Sequence, residues 1–97
     1  MPVILVHQGP TLTQDRYEKA VKRINDGKLP LRTPADWPVD GLLVHAAGQG
    51  TGGFRVVDLW ESQEAANRFG TILGPILREV GVTDMPEIYA AHTFVSA

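Results

Sequence analysis

Six residues able to move a proton or hold a ligand fall on strand-like segments: His7, His45, Arg55, Asp58, Tyr89 and His92. His45 and Asp58 matter most, because they lie on two apolar runs joined by a glycine-rich stretch and therefore on paired strands. An imidazole with one nitrogen held by a carboxylate presents a lone pair at the other, which makes it a base for a phenolic or enolic proton. Asp58 is expected nearly opposite Leu42 or Leu43, depending on hairpin register. A slip of one residue turns a side chain to the other face, so the sequence leaves open whether the two groups meet. The competing reading is structural. A single histidine on an apolar strand commonly satisfies its nitrogens in the core or at a subunit interface. Asp58 equally suits a loop backbone or Arg55 of the partner subunit. His92, in phase with Ile88 and Phe94, is expected to be partly buried and is the third candidate catalytic residue.

Three scattered histidines make no metal site: none has an i,i+2 or i,i+4 partner, and no carboxylate stands at ligand spacing. Neither metal nor cofactor is expected. The run Gly48-Gln-Gly-Thr-Gly-Gly53 has the glycines of a phosphate loop but joins two strands, and no Lys-Ser/Thr follows. It reads as a hairpin turn. Trp37, Trp60, Phe69 and Tyr89 are the candidate ligand-contacting aromatics, though Trp60, ending a strand, also suits a packing anchor.

The elements that must position these residues follow from periodicity. Val3 to Val6 is a short branched apolar run, a strand buried on both faces. A helix is expected from about Gln14 to Asn25, with Thr13 as N-cap, Leu12 and Tyr17 as a hydrophobic staple, and Gly27 at C′. Its apolar stripe is Tyr17, Ala20, Val21 and Ile24; Asp15 and Lys19, like Glu18 and Lys22, pair on the outer face. Three prolines between Lys28 and Asp40 preclude regular structure, while Leu29, Leu31, Trp37 and Val39 favour burial. That loop reads either as a satellite cluster or as a lid over a pocket.

Strands are expected over about Leu42–Ala47 and Phe54–Trp60. The first would place Leu42, Val44 and Ala46 on one side and Leu43 and Ala47 on the other. Ser62 is the expected N-cap of a second helix, read as two segments, 63–71 and 75–80, because Gly74-Pro75 interrupts it. Gly81 caps it, and a last strand is expected over about Glu87–Val95.

Ninety-seven residues make one domain, 1–97, with one core. The 43% hydrophobic and 21% charged fractions are those of a globular chain. A net charge of −2 and a pI of 5.8, without a basic stripe, give no electrostatic footprint for nucleic acid. With no cysteine, disulfides and thiolate metal sites are excluded. Met1 to His7 lacks the basic start and long apolar run of a signal peptide, and no segment suits a membrane span, so a cytoplasmic location is expected.

The order β-α-β-β-α-β is the ferredoxin-like arrangement of the α+β class, with both helices on one side of a four-stranded antiparallel sheet. Two short helices leave the other sheet face apolar and uncovered. A second copy is its simplest cover, giving a two-fold homodimer.

In Gly41-Leu-Leu-Val-His45, Gly53-Phe-Arg-Val-Val-Asp-Leu-Trp-Glu-Ser62, Ala65-Ala66 with Phe69, and the closing Pro86-Glu-Ile-Tyr89 with His92-Thr-Phe94, the chain resembles the dimeric α+β barrel superfamily. The likeness is to its small antibiotic-biosynthesis-monooxygenase-like members. It covers the final two thirds; the first third agrees only in topology. The resemblance implies the dimeric fold and a site between helices and sheet. It also implies a range of roles: cofactor-free oxygenation of polyphenols, polyketide cyclisation, lactone isomerisation or haem degradation. Haem is disfavoured, because no histidine falls on the second helix. Two expectations result: a cofactor-independent monooxygenase or cyclase for an aromatic or polyketide-like molecule, or a non-catalytic ligand-binding or structural dimer.

Overall fold

The computed structural model describes residues 1–24 and 36–95. The elements are β1 (Val3–Gln8), α1 (Gln14–Ile24), β2 (Leu42–Gly50), β3 (Gly53–Trp60), α2 (Gln63–Val80) and β4 (Glu87–Ala90). All strand pairs are antiparallel, in the order β2-β3-β1-β4. This is the expected ferredoxin-like α+β topology. The expected C′ role of Gly27, the end of the first helix at Asn25, and Leu29 and Leu31 lie outside the described residues.

The helix caps follow the sequence. Arg16 N–H donates to Thr13 Oγ1 at 3.2 Å and Ala65 N–H to Ser62 Oγ at 3.1 Å, each meeting a donor that the first turn leaves unpaired. Gly81, at φ 92°, ends α2 with two bonds: its own N–H to the Arg78 carbonyl, and Val82 N–H to the Leu77 carbonyl. That double closure needs a residue in the left-handed region, where glycine carries no Cβ penalty. Leu12 and Tyr17 join one cluster with Phe54, Val56 and Val82, so the staple fastens α1 to the sheet.

The hairpin, the course of β2, the second helix and the last strand differ from expectation. The hairpin closes over Thr51 and Gly52 alone, so Gly48 to Gly50 belong to β2 rather than to a loop. This tight turn moves the register, and Asp58 pairs with His45 rather than with Leu42 or Leu43. A β-bulge between Leu42 and Val44 then breaks the alternation. Leu42 faces the helices with Trp60, whereas Val44 turns outward opposite Leu59 and is 45% exposed. Leu42, Val44 and Ala46 therefore do not share one face.

α2 is one continuous helix through Pro75, not two. Part of proline's clash within a helix is with the Cβ of the preceding residue, and Gly74 has none, which eases the passage through Pro75. Finally, β4 stops at Ala90 instead of Val95. Among the described residues its only partner is β1, which begins at Val3 opposite Ala90, and after the Ala91 N–H bond to the Pro2 carbonyl the ladder has no further rung.

The main core gathers Val3, Leu42, Trp60, Ala65, Ala66 and Phe69 between α2 and the sheet. Among the described residues no helix is long and apolar enough to cross a membrane.

Candidate active site

A cavity of about 610 Å³ opens between the two helices and the sheet. Its sheet wall carries Leu5, Asp58 and His45 in one cross-strand row, with Ile88 completing the row on β4. Register and bulge together place the two polar groups side by side and facing inward.

His45 Nδ1 lies 2.5 Å from Asp58 Oδ1, and His45 Nε2 lies 2.6 Å from the Tyr17 hydroxyl. A carboxylate can only accept, so Nδ1–H donates to Asp58; the neutral ring then accepts the Tyr17 O–H at Nε2. The result is a directed chain, Asp58–His45–Tyr17. Asp58 is 3% exposed and the His45 side chain 17%. Burial pushes the Tyr17 phenol above its ordinary pKa, and the negative Asp58 adds to the shift. Tyr17 is therefore a neutral donor at pH 7, which is what the chain requires.

Aromatic rings hold the imidazole in place. The Trp37 ring centroid lies 4.6 Å from that of His45, and Phe69 packs edge-on to Trp37 at 5.3 Å. Tyr17 lies nearly parallel to His45, at 6.0 Å and 10°. Trp37, Phe69, Tyr17, His45 and Asp58 all line the cavity.

The structure separates the other sequence candidates from this site. Trp60 is fully buried beneath Phe69, with ring centroids 5.1 Å apart, and forms core rather than cavity wall; among the described residues its Nε1–H has no hydrogen-bond partner. Tyr89 points outward from β4, opposite Ile4, and is 45% exposed. His92 lies past the end of β4, is exposed, and does not line the cavity. Arg55 donates to Gln8 Oε1 at 2.8 Å in an exposed position.

Two participants were not singled out by sequence. Tyr17 reads there as one member of an apolar helix stripe, although its staple position directs it at the sheet. Asp84 lies in the α2–β4 connection, where its carbonyl meets His7 Nε2 at 2.7 Å and its carboxylate binds Thr11. The Thr11 hydroxyl bond, above all, holds the Asp84 carboxyl below its usual range. No periodicity signals such a contact between residues 73 positions apart. Among the described residues no three histidine or carboxylate side chains converge as metal ligands.

No protein-family model and no curated protein matches the sequence. Solved structures do. A single-site variant of SnoaB, a cofactor-independent oxygenase from Streptomyces nogalater, superposes with a TM-score of 0.58 at 11% identity, covering 99% of this chain and 98% of that one. A protein from Shewanella loihica PV-4 described as a candidate monooxygenase gives 0.57 at 17% identity, with 96% of each chain covered. At these identities the likeness speaks for the fold. Over nearly its whole length the chain shares the ferredoxin-like α+β fold of these two proteins.

Proposed function

We propose that this protein is a cofactor-independent monooxygenase, or a cyclase using the same base, acting on an aromatic or polyketide-like molecule. One observation carries the reading: a buried carboxylate–imidazole–phenol chain ends at a mostly apolar cavity of about 610 Å³, within the size range of small-molecule sites. A substrate hydroxyl at Tyr17 Oη passes its proton to the phenol oxygen as Tyr17 passes its own to His45 Nε2. The products are a substrate phenolate and an imidazolium whose charge Asp58 balances. The electron-rich ring carbon then bonds dioxygen, and the imidazolium returns the proton to the peroxide. Loss of the carbon-bound hydrogen with the outer oxygen as water leaves a ring carbonyl. The oxygenase description of SnoaB supports this reading.

A second reading is favoured by the bonding of His45, both of whose nitrogens are satisfied within the protein. On it the chain is a packing network and the protein binds a ligand without turnover. Pooled phenols followed by thermal shift and mass spectrometry separate the two. Oxygenation predicts product, gaining one oxygen and losing two hydrogens, that disappears in His45→Ala. Stabilisation without product supports the second reading, and product unchanged in His45→Ala overturns the role of the base.

The protein acts as a homodimer on this reading, with the helix-free sheet face as the interface. Leu43, Val44, Val57 and Tyr89 are each 36–45% exposed there, on a face that a second sheet would cover. Sedimentation of Val44→Lys tests this, with a monomer expected; a wild-type monomer at micromolar concentration would refute the pairing.

A further inference from the structure

His7 is the second imidazole in the cavity wall, and the proton chain does not use it. It sits on β1 opposite Val56, on the face that carries Leu5 and Asp58, and is 4% exposed. Its Nε2 meets the Asp84 backbone carbonyl at 2.7 Å. A carbonyl cannot donate, so Nε2 bears the hydrogen, and in the neutral ring Nδ1 bears the lone pair. Among the described residues nothing donates to that nitrogen, although the ring lines the cavity.

The orientation is held from behind. Thr11 N–H donates to Asp84 Oδ2 at 2.7 Å, and Thr83 N–H and Asp84 N–H donate to Thr11 Oγ1 at 2.9 and 3.2 Å. Asp84 cannot swing away, so its carbonyl fixes the ring and with it the direction of Nδ1. A buried acceptor fixed in this way and left unmet by the protein is arranged for a donor from a ligand.

Position sets the ligand's shape. His7 and His45 stand two strands apart and two residues out of line, which places their Cα atoms roughly 12 Å apart on the same face. The wall between them is Leu5 and Val56, with only Asp58 polar and already bonded. We propose that His7 Nδ1 is a second hydrogen-bond pole of the cavity, and that its ligand is a long, flat, apolar molecule carrying a hydroxyl at each end. One hydroxyl meets Tyr17 and His45, and the other donates to His7. His7 is thus a specificity-determining residue, selecting length and two-ended polarity. The inference rests on the cavity being a ligand site and holds whether or not chemistry follows.

The test compares 2,6-dihydroxyanthracene with 2-hydroxyanthracene by tryptophan-fluorescence titration of the full protein. One neutral hydrogen bond predicts that the diol binds roughly fivefold tighter. In His7→Phe, whose ring has no nitrogen to accept a hydroxyl, the two ligands bind equally. On ligand-bound wild-type protein, nitrogen NMR gives a second readout: the His7 Nδ1 resonance moves with the diol and not with the mono-ol. This needs no variant, should His7→Phe fail to fold. A diol preference that survives in His7→Phe, or an Nδ1 resonance that ignores the diol, overturns the role of His7 and leaves the cavity a ligand site. If neither compound binds, this inference fails, and with it the choice of an aromatic ligand for the cavity.

Discussion

Replacing Asp58 with asparagine tests whether the buried chain works as a unit. Asparagine keeps the size and can still accept the His45 Nδ1–H through its amide oxygen, so no cavity forms; what is lost is the charge. Hydrogen bonds to an ionised acceptor are roughly twice as strong as neutral ones. A neutral bond contributes about 1 kcal/mol, so the substitution should cost about 1 kcal/mol. Asp58 is 3% exposed, and little solvent screening reduces that figure. For a domain of this length the melting temperature should drop by about 4–8 °C. A second signature is specific to the chain. The Asp58 charge is the smaller of two causes that raise the Tyr17 phenol, so Asp58→Asn should lower the Tyr17 ionisation point but leave it above the ordinary range, because burial remains. Ultraviolet titration of phenolate absorbance, with Tyr17→Phe as the blank, isolates that tyrosine from Tyr89. A melting temperature and a Tyr17 titration both indistinguishable from wild type would show that the three groups are not coupled, and the proton route would fail with them.

Other perturbations address separate parts of the molecule. Tyr17 has a folded pKa above its unfolded value of about 10, so its contribution to stability is complete below pH 10 and fades as the pH climbs through the higher folded value. Denaturant midpoints measured from pH 8 to 11 should therefore fall more steeply in wild type than in Tyr17→Phe. Asp84 has the opposite sign: its lowered carboxyl contributes stability above the usual carboxylate range, lost as pH falls through the folded value. Thr11→Val removes the hydroxyl that chiefly holds it down, so acid unfolding followed by circular dichroism should begin at higher pH. Gly81→Ala meets ordinary contacts to the Arg16 guanidinium, so its cost is that of an L-residue at φ 92°, about 1–2 kcal/mol, read from urea unfolding.

The topology was legible because each element announced itself locally. Thr13 and Ser62 cap helices by side-chain chemistry, Gly81 ends one by backbone freedom, and the apolar stripes give the periods. The site was legible only in part. His45 and Asp58 stood out by type, but their meeting depends on how few residues the glycine-rich turn consumes, and glycines suit both strand ends and loops. His92 kept perfect alternation and was still misplaced, because a strand needs a partner as well as a pattern, and β1 runs out at Val3. Tyr17 was hidden by the opposite effect: its ring belongs to the apolar stripe, and only its hydroxyl does anything polar. The contact of Asp84 with His7 and Thr11 is invisible to any local rule.

The extra residue in β2 decides more than the shape of that edge. Were every residue kept and the strand to run in plain alternation from Leu42 opposite Trp60, Val44 would arrive beside Asp58, and the imidazole would leave through the opposite surface, stranding a carboxylate in grease. Dropping Leu43 together with the irregularity would instead bring the histidine back beside Asp58. Related chains should accordingly be compared by the leucine-to-histidine count and the bulge together, because an odd count with a bulge and an even one without it present the same face.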